Sequence, residues 1–310
     1  MVYKSNVNID LHIHSTASDG TLTPYEIITM AQELKLGAIA ITDHDTIDGS
    51  RQAVNSKIPQ SLKFLTGVEI SANPPASFPC SGSLHILGYG FPIDDPKLNN
   101  TLDMLQEARD NRNPQIIKRL NSLGFDITLN EVIKETGEGL IGRPHIANLM
   151  IKKGFVKTFN EVFDLYLGKD KPAYVDKYRA ECEQAIAIIK SAGGIPVLAH
   201  PFLIQLKKNK PIEKFIACLK DMGLQGIEVL YPEHTPEVTN QYIEIAKRLD
   251  LLVTGGSDFH GALKPDIKMG SGKGNLRVPF ELYEKLMDKL SVSLRISKSQ
   301  LYNHLFYKKY

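Results

Sequence analysis

Long apolar runs and paired cysteines are scarce in this chain of 310 residues. No apolar stretch approaches the ~20 residues that a membrane-spanning helix needs, and Asp10, His12 and His14 interrupt the apolar stretch that a signal peptide would require near the N-terminus. The three cysteines are widely spaced and form no Cys-x-x-Cys pair, which argues against a disulfide framework. We therefore expect a cytoplasmic protein that involves no membrane and no obligate protein partner.

An excess of one charge is also missing, because the formal net charge is only +2. No global field attracts a polyanion, so a phosphorylated ligand must be held by local cations or metals. The apolar fraction of 42% is ordinary for a globular protein. The chain length suits one large α/β-barrel domain, or one domain that carries an insertion.

Strand-like and helix-like segments alternate along most of the chain. The segments that predict strands are Val7–His12, Ala38–Thr42, Phe64–Ile70, Leu84–Tyr89, Ile195–Ala199, Gly226–Val229 and Leu252–Gly255. The helical patterns that accompany them are Pro24–Leu36, Asp48–Ser56, Glu181–Ala192, Ile212–Met222, Pro236–Leu249 and Pro279–Leu290. A βα series implies parallel strands with right-handed crossovers, so we predict an α/β fold with a small closed or nearly closed barrel.

The alternation stops between residues 95 and 170, where the sequence predicts helices alone. They are Lys97–Asn111, Pro114–Leu123, Leu129–Glu135, Pro144–Lys153 and Thr158–Leu167. An all-helical stretch at one βα loop indicates an insertion at the functional rim of a barrel. We therefore expect a discontinuous barrel domain (residues 1–94 and 171–290), a helical insertion that caps the substrate (residues 95–170) and a C-terminal tail (residues 291–310).

Histidines and carboxylates cluster where the predicted strands end. Positions i and i+2 of a strand face the same way, so His12 and His14 can reach one cation. Asp258 and His260 repeat this spacing after the last strand. Glu69 lies in an apolar strand, where a carboxylate is costly unless it is paired or bound to a metal. Strand ends that share one rim predict a single site.

Nine residues are candidate metal ligands: His12, His14, Asp19, His44, Glu69, His85, His200, Asp258 and His260. Several of them also suit a structural role, such as a helix cap at His44 or a strand end at His200. Mixed imidazole and carboxylate ligands favour Mn, Zn or Fe over Ca, and nine ligands predict two or three divalent ions. Asp43 and Asp45 flank His44 and would orient it.

The ordered set of these motifs resembles the PHP family, named for polymerase and histidinol phosphatase. The motifs are Asp10-Leu-His-Ile-His14-Ser15, Thr42-Asp-His44-Asp-Thr46, Gly67-Val-Glu69-Ile, Ala199-His200-Pro201 and Gly256-Ser-Asp258-Phe-His260. The resemblance implies a distorted seven-stranded βα barrel with three metals. The first would be held by His12, His14, Glu69 and Asp258, the second by Glu69, His85 and His200, and the third by Asp19, His44 and His260.

A finer resemblance concerns the substrate. Histidinol phosphatases usually carry a histidine where this chain has Asp19. That aspartate, together with Gly142-Arg143-Pro144-His145-Ile146-Ala147, Lys171-Pro-Ala-Tyr174-Val and Tyr231-x-x-His234-Thr-Pro, resembles stand-alone phosphoesterases of nucleoside 3′,5′-bisphosphates. We expect hydrolysis of the 3′-phosphate by a metal-bridging hydroxide held by Glu69, Asp258 and His200. The alternatives are a 5′-3′ exoribonuclease on short RNA with the same site, a histidinol phosphatase and a non-catalytic module.

Five residues are candidates for substrate binding. Arg143 suits a second phosphate because a guanidinium binds phosphate bidentately, although a surface salt bridge is the alternative. His145 lies in the first turn of a predicted helix, where it would contact phosphate or cap the helix. Lys171, Tyr174 and His234 are weaker candidates, since loop residues of these types are often without a function.

Overall fold

A curled mixed sheet of seven strands organises the protein, in a computed structural model that describes residues 7–136, 141–206 and 211–292. Their spatial order is β1 (Asp10–Ile13), β2 (Ala38–Ile41), β3 (Lys63–Asn73), β5 (Leu84–Tyr89), β7 (Ile195–Leu198), β9 (Gly226–Leu230) and β10 (Leu252–Gly255). The short strand β6 (Ala180–Glu181) pairs with β3, while β4 (Cys80–Ser81) and β8 (Gln205–Leu206) form a separate pair.

Ten α-helices accompany the strands in the described part of the chain. They are α1 (Pro24–Glu33), α2 (Asp48–Val54), α3 (Pro96–Ser122), α4 (Leu129–Thr136), α5 (Arg143–Lys152), α6 (Phe159–Val162), α7 (Cys182–Ser191), α8 (Ile212–Asp221), α9 (Pro236–Arg248) and α10 (residues 280–292). A π-helical turn (Phe163–Leu167) continues α6. Local chemistry sets the helix starts: Thr23 and Glu26 form a reciprocal capping box at α1, with Pro24 in its first turn. None of the described helices is long and apolar enough to cross a membrane.

The prediction that the strands run parallel is wrong for β5, which is antiparallel to both β3 and β7. Only residues 74–83 separate β3 from β5, with no helix between them. That length is too short for the crossover that a parallel strand needs. The reversal matters for the site, because it brings His85, at the start of β5, to the rim where β3 and β7 end.

The sheet closes only in part between β1 and β10. Among the described residues, one bridge joins Ile13 to Phe259, beyond the end of β10. The N–H of His14 donates to the Phe259 carbonyl at 2.9 Å, and the N–H of Asp258 donates to the His12 carbonyl at 2.9 Å. A Cβ at Gly256 would lie 2.4 Å from the His12 backbone nitrogen, so this approach requires glycine. The predicted barrel is therefore a curled sheet whose edges meet at one rim.

In the middle of the sheet, the strands separate two hydrophobic layers of the core. Along β5, Leu84 and Ile86 join the layer that packs against α7, whereas Leu87 and Tyr89 face the layer that includes α10. This period of two is what a strand buried on both faces requires. Because the strands are packed on both faces, their ends position the residues of the rim.

A third hydrophobic cluster is built by the helical stretch, from Ile116 to Val175. The two helices predicted on either side of Pro114 are one helix, α3. In the first half of α3, Leu102 packs in the layer that contains α7. In the second half, Leu120 packs in the third cluster. Burial on both sides of Pro114 offsets the missing hydrogen bond. The domain boundaries at 95 and 170 stay a prediction, and the predicted tail lies outside the described residues beyond 292.

Candidate metal centre and adjoining cavity

The nine predicted ligands gather at one rim of the sheet, although the chain separates them by up to 248 positions. Seven are buried, and His44 and His85 are partly exposed. Glu69, at 0% exposure, lies at their centre. Its Oε1 is 2.7 Å from His85 Nδ1 and 2.8 Å from His200 Nε2, and its Oε2 is 3.2 Å from His14 Nε2. The rim thus surrounds one buried carboxylate with imidazoles.

Four overlapping groups of these side chains have their donor atoms within 4.8 Å of one another. The groups are His14, Asp19, His44 and His260; His12, Glu69 and His200; His12, His14 and Asp258; and His44, Glu69 and His85. Asp19, His44 and His260 fall in one group, as the resemblance implied for the third metal. The assignment of each ligand to a particular ion stays a prediction.

The candidate ligands fit divalent ions because several of their buried polar atoms form no hydrogen bond within the described protein. His14 Nδ1, His200 Nδ1 and Glu69 Oε2 are buried and make no hydrogen bond. The Nε2 atoms of His12 and His14 face each other at 3.2 Å. Buried polar atoms are almost always satisfied, and two imidazole lone pairs repel unless a proton or cation lies between them. Nitrogen and carboxylate donors are the set that Mn, Zn and Fe(II) accept.

The charge states also suit metal binding. Burial lowers the pKa of His44 to about 4, and burial also lowers the pKa of His85 and His260, so their lone pairs are available at neutral pH. Burial works against the charge of Glu69, but the histidines around it, His44 foremost, hold the pKa of this carboxyl well below its usual range. These four residues thus have the protonation states that metals require. The surrounding carboxylates raise the pKa of His12, and they raise the pKa of His14 to about 9, so a metal would displace a proton from these two rings.

A cavity of about 480 Å³ opens beside this cluster. Three of the nine candidates, Asp19, His44 and His85, contribute to its wall. The remainder of the wall is rich in cations: Arg109, Arg112, Arg143, Lys169, Lys177 and Arg179. Metal-type donors and basic side chains therefore face the same volume, which is what a phosphorylated ligand needs.

Comparison with known proteins agrees with this arrangement. The family model described as the PHP domain matches residues 10–222. The chain belongs to the PHP domain family. A 3′,5′-nucleoside bisphosphate phosphatase from Chromobacterium violaceum is 34% identical over 254 residues, which cover 82% of this chain and 87% of the relative. A 5′-3′ exoribonuclease from Haemophilus influenzae is 33% identical over 251 residues, which cover 81% of this chain and 89% of the relative.

A solved structure from Bifidobacterium adolescentis, provisionally described as a metal-dependent phosphoesterase, has a TM-score of 0.79 and 29% identity. The match covers 92% of this chain and 97% of that one. Together with the cluster of nine donors, these likenesses identify the protein as a metal-dependent phosphoesterase of the PHP family. Its fold is the α/β barrel that the resemblance implied, in a partly closed form and with mixed strand directions.

Two carboxylates next to the candidate ligands, Asp43 and Asp45, do not orient His44 as the sequence predicted. Asp43 accepts hydrogen bonds from Ser15 and Ser18, and Asp45 accepts from Arg109 and Lys177. Among the described residues, the hydrogen bonds of both carboxylates go to these other groups, and neither carboxylate bonds to His44. Asp45 instead connects the rim of the barrel to α3.

Glu228 of β9 is a residue that sequence reasoning missed. It is fully buried, its Oε1 lies 2.9 Å from His12 Nδ1, and its Oε2 accepts the backbone N–H of His200 at 2.8 Å. It therefore fixes the ring of one candidate ligand and the backbone of another. The sequence does contain a sign of this role, since Glu228 interrupts an apolar strand in the same way as Glu69 does.

Two of the five predicted substrate-binding residues, Arg143 and Tyr174, line the cavity, and the other three do not. Lys171 is exposed outside the cavity. His234 is also outside the lining: it is buried among aromatic rings, with its Nδ1 2.7 Å from the Val229 carbonyl. His145 is buried, and its Nδ1 accepts the N–H of Gly142 at 2.9 Å, so this nitrogen caps α5.

Arg143 already has several contacts within the wall. Its Nη1 donates to the Leu167 carbonyl at 2.9 Å, and its guanidinium lies 5.6 Å from the centre of the Phe163 ring and 5.4 Å from that of Tyr174. These contacts are typical of an arginine that is held by stacking. The cations that lie beside it, Arg112 and Arg179, belong to no motif that the sequence offered.

Proposed function

We propose that this PHP phosphoesterase hydrolyses the 3′-phosphate of nucleoside 3′,5′-bisphosphates. The observation that carries the proposal is the cavity wall, where metal-type donors and an excess of cations face one volume. In a substrate with two phosphates, one phosphate can reach the metal-type donors while the other contacts the basic side chains. The Chromobacterium violaceum relative carries the name of this activity, which supports the proposal.

In this proposal the nine donors hold two or three divalent ions of Mn, Zn or Fe. Such ions supply an activated water and neutralise charge on the reacting phosphoryl group. The chain itself contributes geometry: Glu228 holds the ring of His12 so that Nε2 faces the centre, and the Tyr231 hydroxyl donates to Asp258 at 3.0 Å. We assign His12, His14, Glu69, His200 and Asp258 to the ions nearest the reacting phosphate. The basic side chains of the wall bind the phosphate that is not cleaved.

A 5′-3′ exoribonuclease activity is the second candidate, because the Haemophilus influenzae relative carries that name at similar identity. Both reactions break a bond at the 3′-oxygen of a nucleotide. They differ in whether the phosphate leaves as a free group or remains attached to the next nucleotide of an RNA chain.

Product analysis separates the candidates. Purified protein loaded with Mn would be offered adenosine 3′,5′-bisphosphate, a 5′-phosphorylated oligoribonucleotide and histidinol phosphate at equal concentrations. We expect the bisphosphate to have the highest kcat/KM, with adenosine 5′-monophosphate and phosphate as products. Faster release of mononucleotides from the oligoribonucleotide would establish the exoribonuclease instead, and a preference for histidinol phosphate would refute both. The His14→Ala protein is the control for contaminating phosphatases.

A further inference from the structure

Lys177 is a buried lysine in the wall of the cavity. It lies in the loop that leads into β6, and its side chain is only 6% exposed. Its Nζ donates to Asp45 Oδ2 at 2.7 Å and to Ser71 Oγ at 3.1 Å. An ammonium group has three N–H donors. Its hydrogen bonds within the described part of the chain therefore leave one of these donors unused.

The ammonium group is only one residue away from the candidate metal centre. Ser71, which accepts one of its hydrogen bonds, is the register partner of His85 across β3 and β5. Side chains that are directly opposed in an antiparallel pair share a face, with their Cβ atoms about 5 Å apart. Ser71, His85 and Lys177 all line the cavity. A phosphate ester that reaches His85 through the cavity therefore comes within reach of the Lys177 ammonium group.

The environment of Lys177 makes its proton easy to release. Burial, followed by the charge of Arg109, lowers the pKa of Lys177 to about 7, although Asp45 acts in the opposite direction. Arg112, from the same helix α3, adds to the repulsion. A general acid is most effective when its pKa lies near the working pH, because it then holds its proton and also gives it up readily. Lys177 meets this condition at neutral pH.

Release of the proton leaves no buried carboxylate unpaired. Arg109 donates to the same oxygen of Asp45, through Nε at 2.9 Å and through Nη2 at 2.7 Å. Asp45 therefore keeps a counter-ion while Lys177 is a neutral amine. Asp176 and Arg179, which flank Lys177 in the chain, pair with each other at 2.7 Å. Lys177 can thus lose and regain a proton, which the guanidinium groups of the wall cannot do at this pH.

We propose that Lys177 is the general acid of this phosphoesterase, and that its Nζ protonates the ester oxygen that leaves during hydrolysis. The oxygen of a deprotonated water bonds to phosphorus while the P–O bond of the ester breaks, and the electron pair of that bond stays on the leaving oxygen. The leaving oxygen takes a proton from Nζ, and solvent then returns a proton to the neutral amine. The proposal rests on the phosphoesterase activity and not on the identity of the nucleotide.

The contacts of Lys177 would also suit a simple counter-ion of Asp45, and Lys177→Arg separates the two roles. Arginine keeps the charge and can pair with Asp45, but it does not release a proton at neutral pH. We expect this variant to lose roughly 10²- to 10⁴-fold in kcat/KM for adenosine 3′,5′-bisphosphate, whose leaving oxygen needs a proton. For 4-nitrophenyl phosphate, whose phenolate leaves without one, the loss should be less than about fivefold.

Two comparisons decide this experiment. Lys247→Gln, which changes an exposed lysine of α9, should match the wild type with both esters. Equal losses for the two esters in Lys177→Arg, or no loss for either, would overturn the proposal. If Lys177→Arg does not fold, Lys177→Gln takes its place with the same expectations, because its amide can still donate to Asp45.

The pH profile is a second kinetic test. A general acid is active only while it holds its proton, so the wild-type kcat/KM for the bisphosphate should decline as the pH rises through the pKa of Lys177, about 7. In Lys177→Arg this decline should be absent. A decline that persists unchanged in the variant would belong to another group and would refute the assignment.

Carbon-13 NMR tests the proton itself, without metal or turnover. Lysine Cε would be labelled in chelator-treated protein, and the Lys177 signal would be identified by its absence from the spectrum of Lys177→Arg. We expect this signal to titrate with a midpoint near pH 7. A midpoint above about pH 9 would leave no proton to transfer at neutral pH and would overturn the proposal.

Failure of the proposed function is distinguishable from failure of the general acid. If the wild type does not hydrolyse the bisphosphate, the proposed function fails, and phenyl phosphate replaces the nucleotide in the comparison with 4-nitrophenyl phosphate. The two aryl esters differ in how well the phenolate leaves. Lys177→Arg should then lose more activity with phenyl phosphate, and equal losses would count against Lys177 as the acid.

Discussion

At the scale of the single residue, Glu228 shows how a side chain that is not among the candidate ligands controls one that is. Both of its oxygens are committed, one to the ring of His12 and one to the backbone of His200. A carboxylate that accepts the outer N–H of an imidazole fixes the tautomer, so that the inner nitrogen keeps its lone pair. The residue is fully buried, which leaves this pairing no competition from water.

Glu228→Gln should therefore weaken metal binding. The amide keeps the shape of the side chain, but its NH₂ group would face either the His12 ring or the His200 backbone N–H, and it cannot accept a hydrogen bond from either. We expect the affinity for Mn or Zn to fall about 10- to 100-fold, measured by competition with a chromophoric chelator. Glu233→Gln alters an exposed neighbour that pairs with Lys273, and it serves as the control. If the two variants bind metal equally, the role given to Glu228 is wrong.

The buried His145 predicts a dependence of stability on pH. Burial lowers the pKa of this imidazole below its ordinary 6.5, and its Nδ1 can accept the Gly142 N–H only when it is unprotonated. Above pH 6.5 the folded and unfolded states are both neutral, so the contribution is complete. As the pH falls from 6.5 to the lowered pKa, the unfolded state binds more protons and stability is lost.

His145→Gln keeps an acceptor near Gly142 and removes the titration. In chelator-treated protein, we expect the free energy of unfolding to fall less between pH 7 and pH 5 for this variant than for the wild type. Urea denaturation at a series of pH values would measure both slopes. Parallel slopes would mean that His145 does not titrate in this range.

At the scale of the element, the positions of strands were more predictable than their directions. Hydrophobic patterning located Leu84–Tyr89 and Leu252–Gly255 with the bounds that β5 and β10 have. The antiparallel direction of β5 depends on the length of the preceding connection, which the alternating pattern concealed. Likewise, Pro114 predicted a break that burial of both halves of α3 prevents.

Pro114 should be a site where α3 can be stabilised. Proline is about 3 kcal/mol less favourable than alanine inside a helix, because it removes one hydrogen bond and crowds the preceding turn. Pro114→Ala should raise the free energy of unfolding by about 1–3 kcal/mol in urea. Pro96→Ala, at the first turn of the same helix, should change it little. Destabilisation by Pro114→Ala would show that the proline sets the geometry between the two clusters.

At the scale of the whole molecule, the candidate metal centre could be predicted and the cationic wall could not. His12, His14 and Asp258 occur in short motifs at strand ends, where the topology of a barrel forces convergence. Arg112 and Lys177 come from a helix and a loop whose only signal is charge, and charges on a helix usually face solvent. Their convergence depends on how α3 packs, which no local pattern encodes.

The wall would allow a nearly neutral chain to bind the phosphorylated substrate that we propose. The formal net charge of +2 conceals a concentration of basic side chains in one cavity. Asp45 neutralises part of this charge and ties α3 to the barrel rim through Arg109. The cavity thus has a positive electrostatic field that suits phosphate, while the charges of the molecule as a whole nearly cancel.

In this description, strand ends that are distant in the sequence form one centre for several divalent ions, and the number of ions bound per chain is its direct test. Chelator-treated protein would be titrated with Mn and with Zn, and the bound metal would be measured by elemental analysis after gel filtration. We predict two or three ions per chain in the wild type and a loss of at least one in both His14→Ala and Asp258→Ala, with circular dichroism unchanged. Fewer than one ion per chain in the wild type, or full loading of both variants, would show that these strand ends do not form a metal centre.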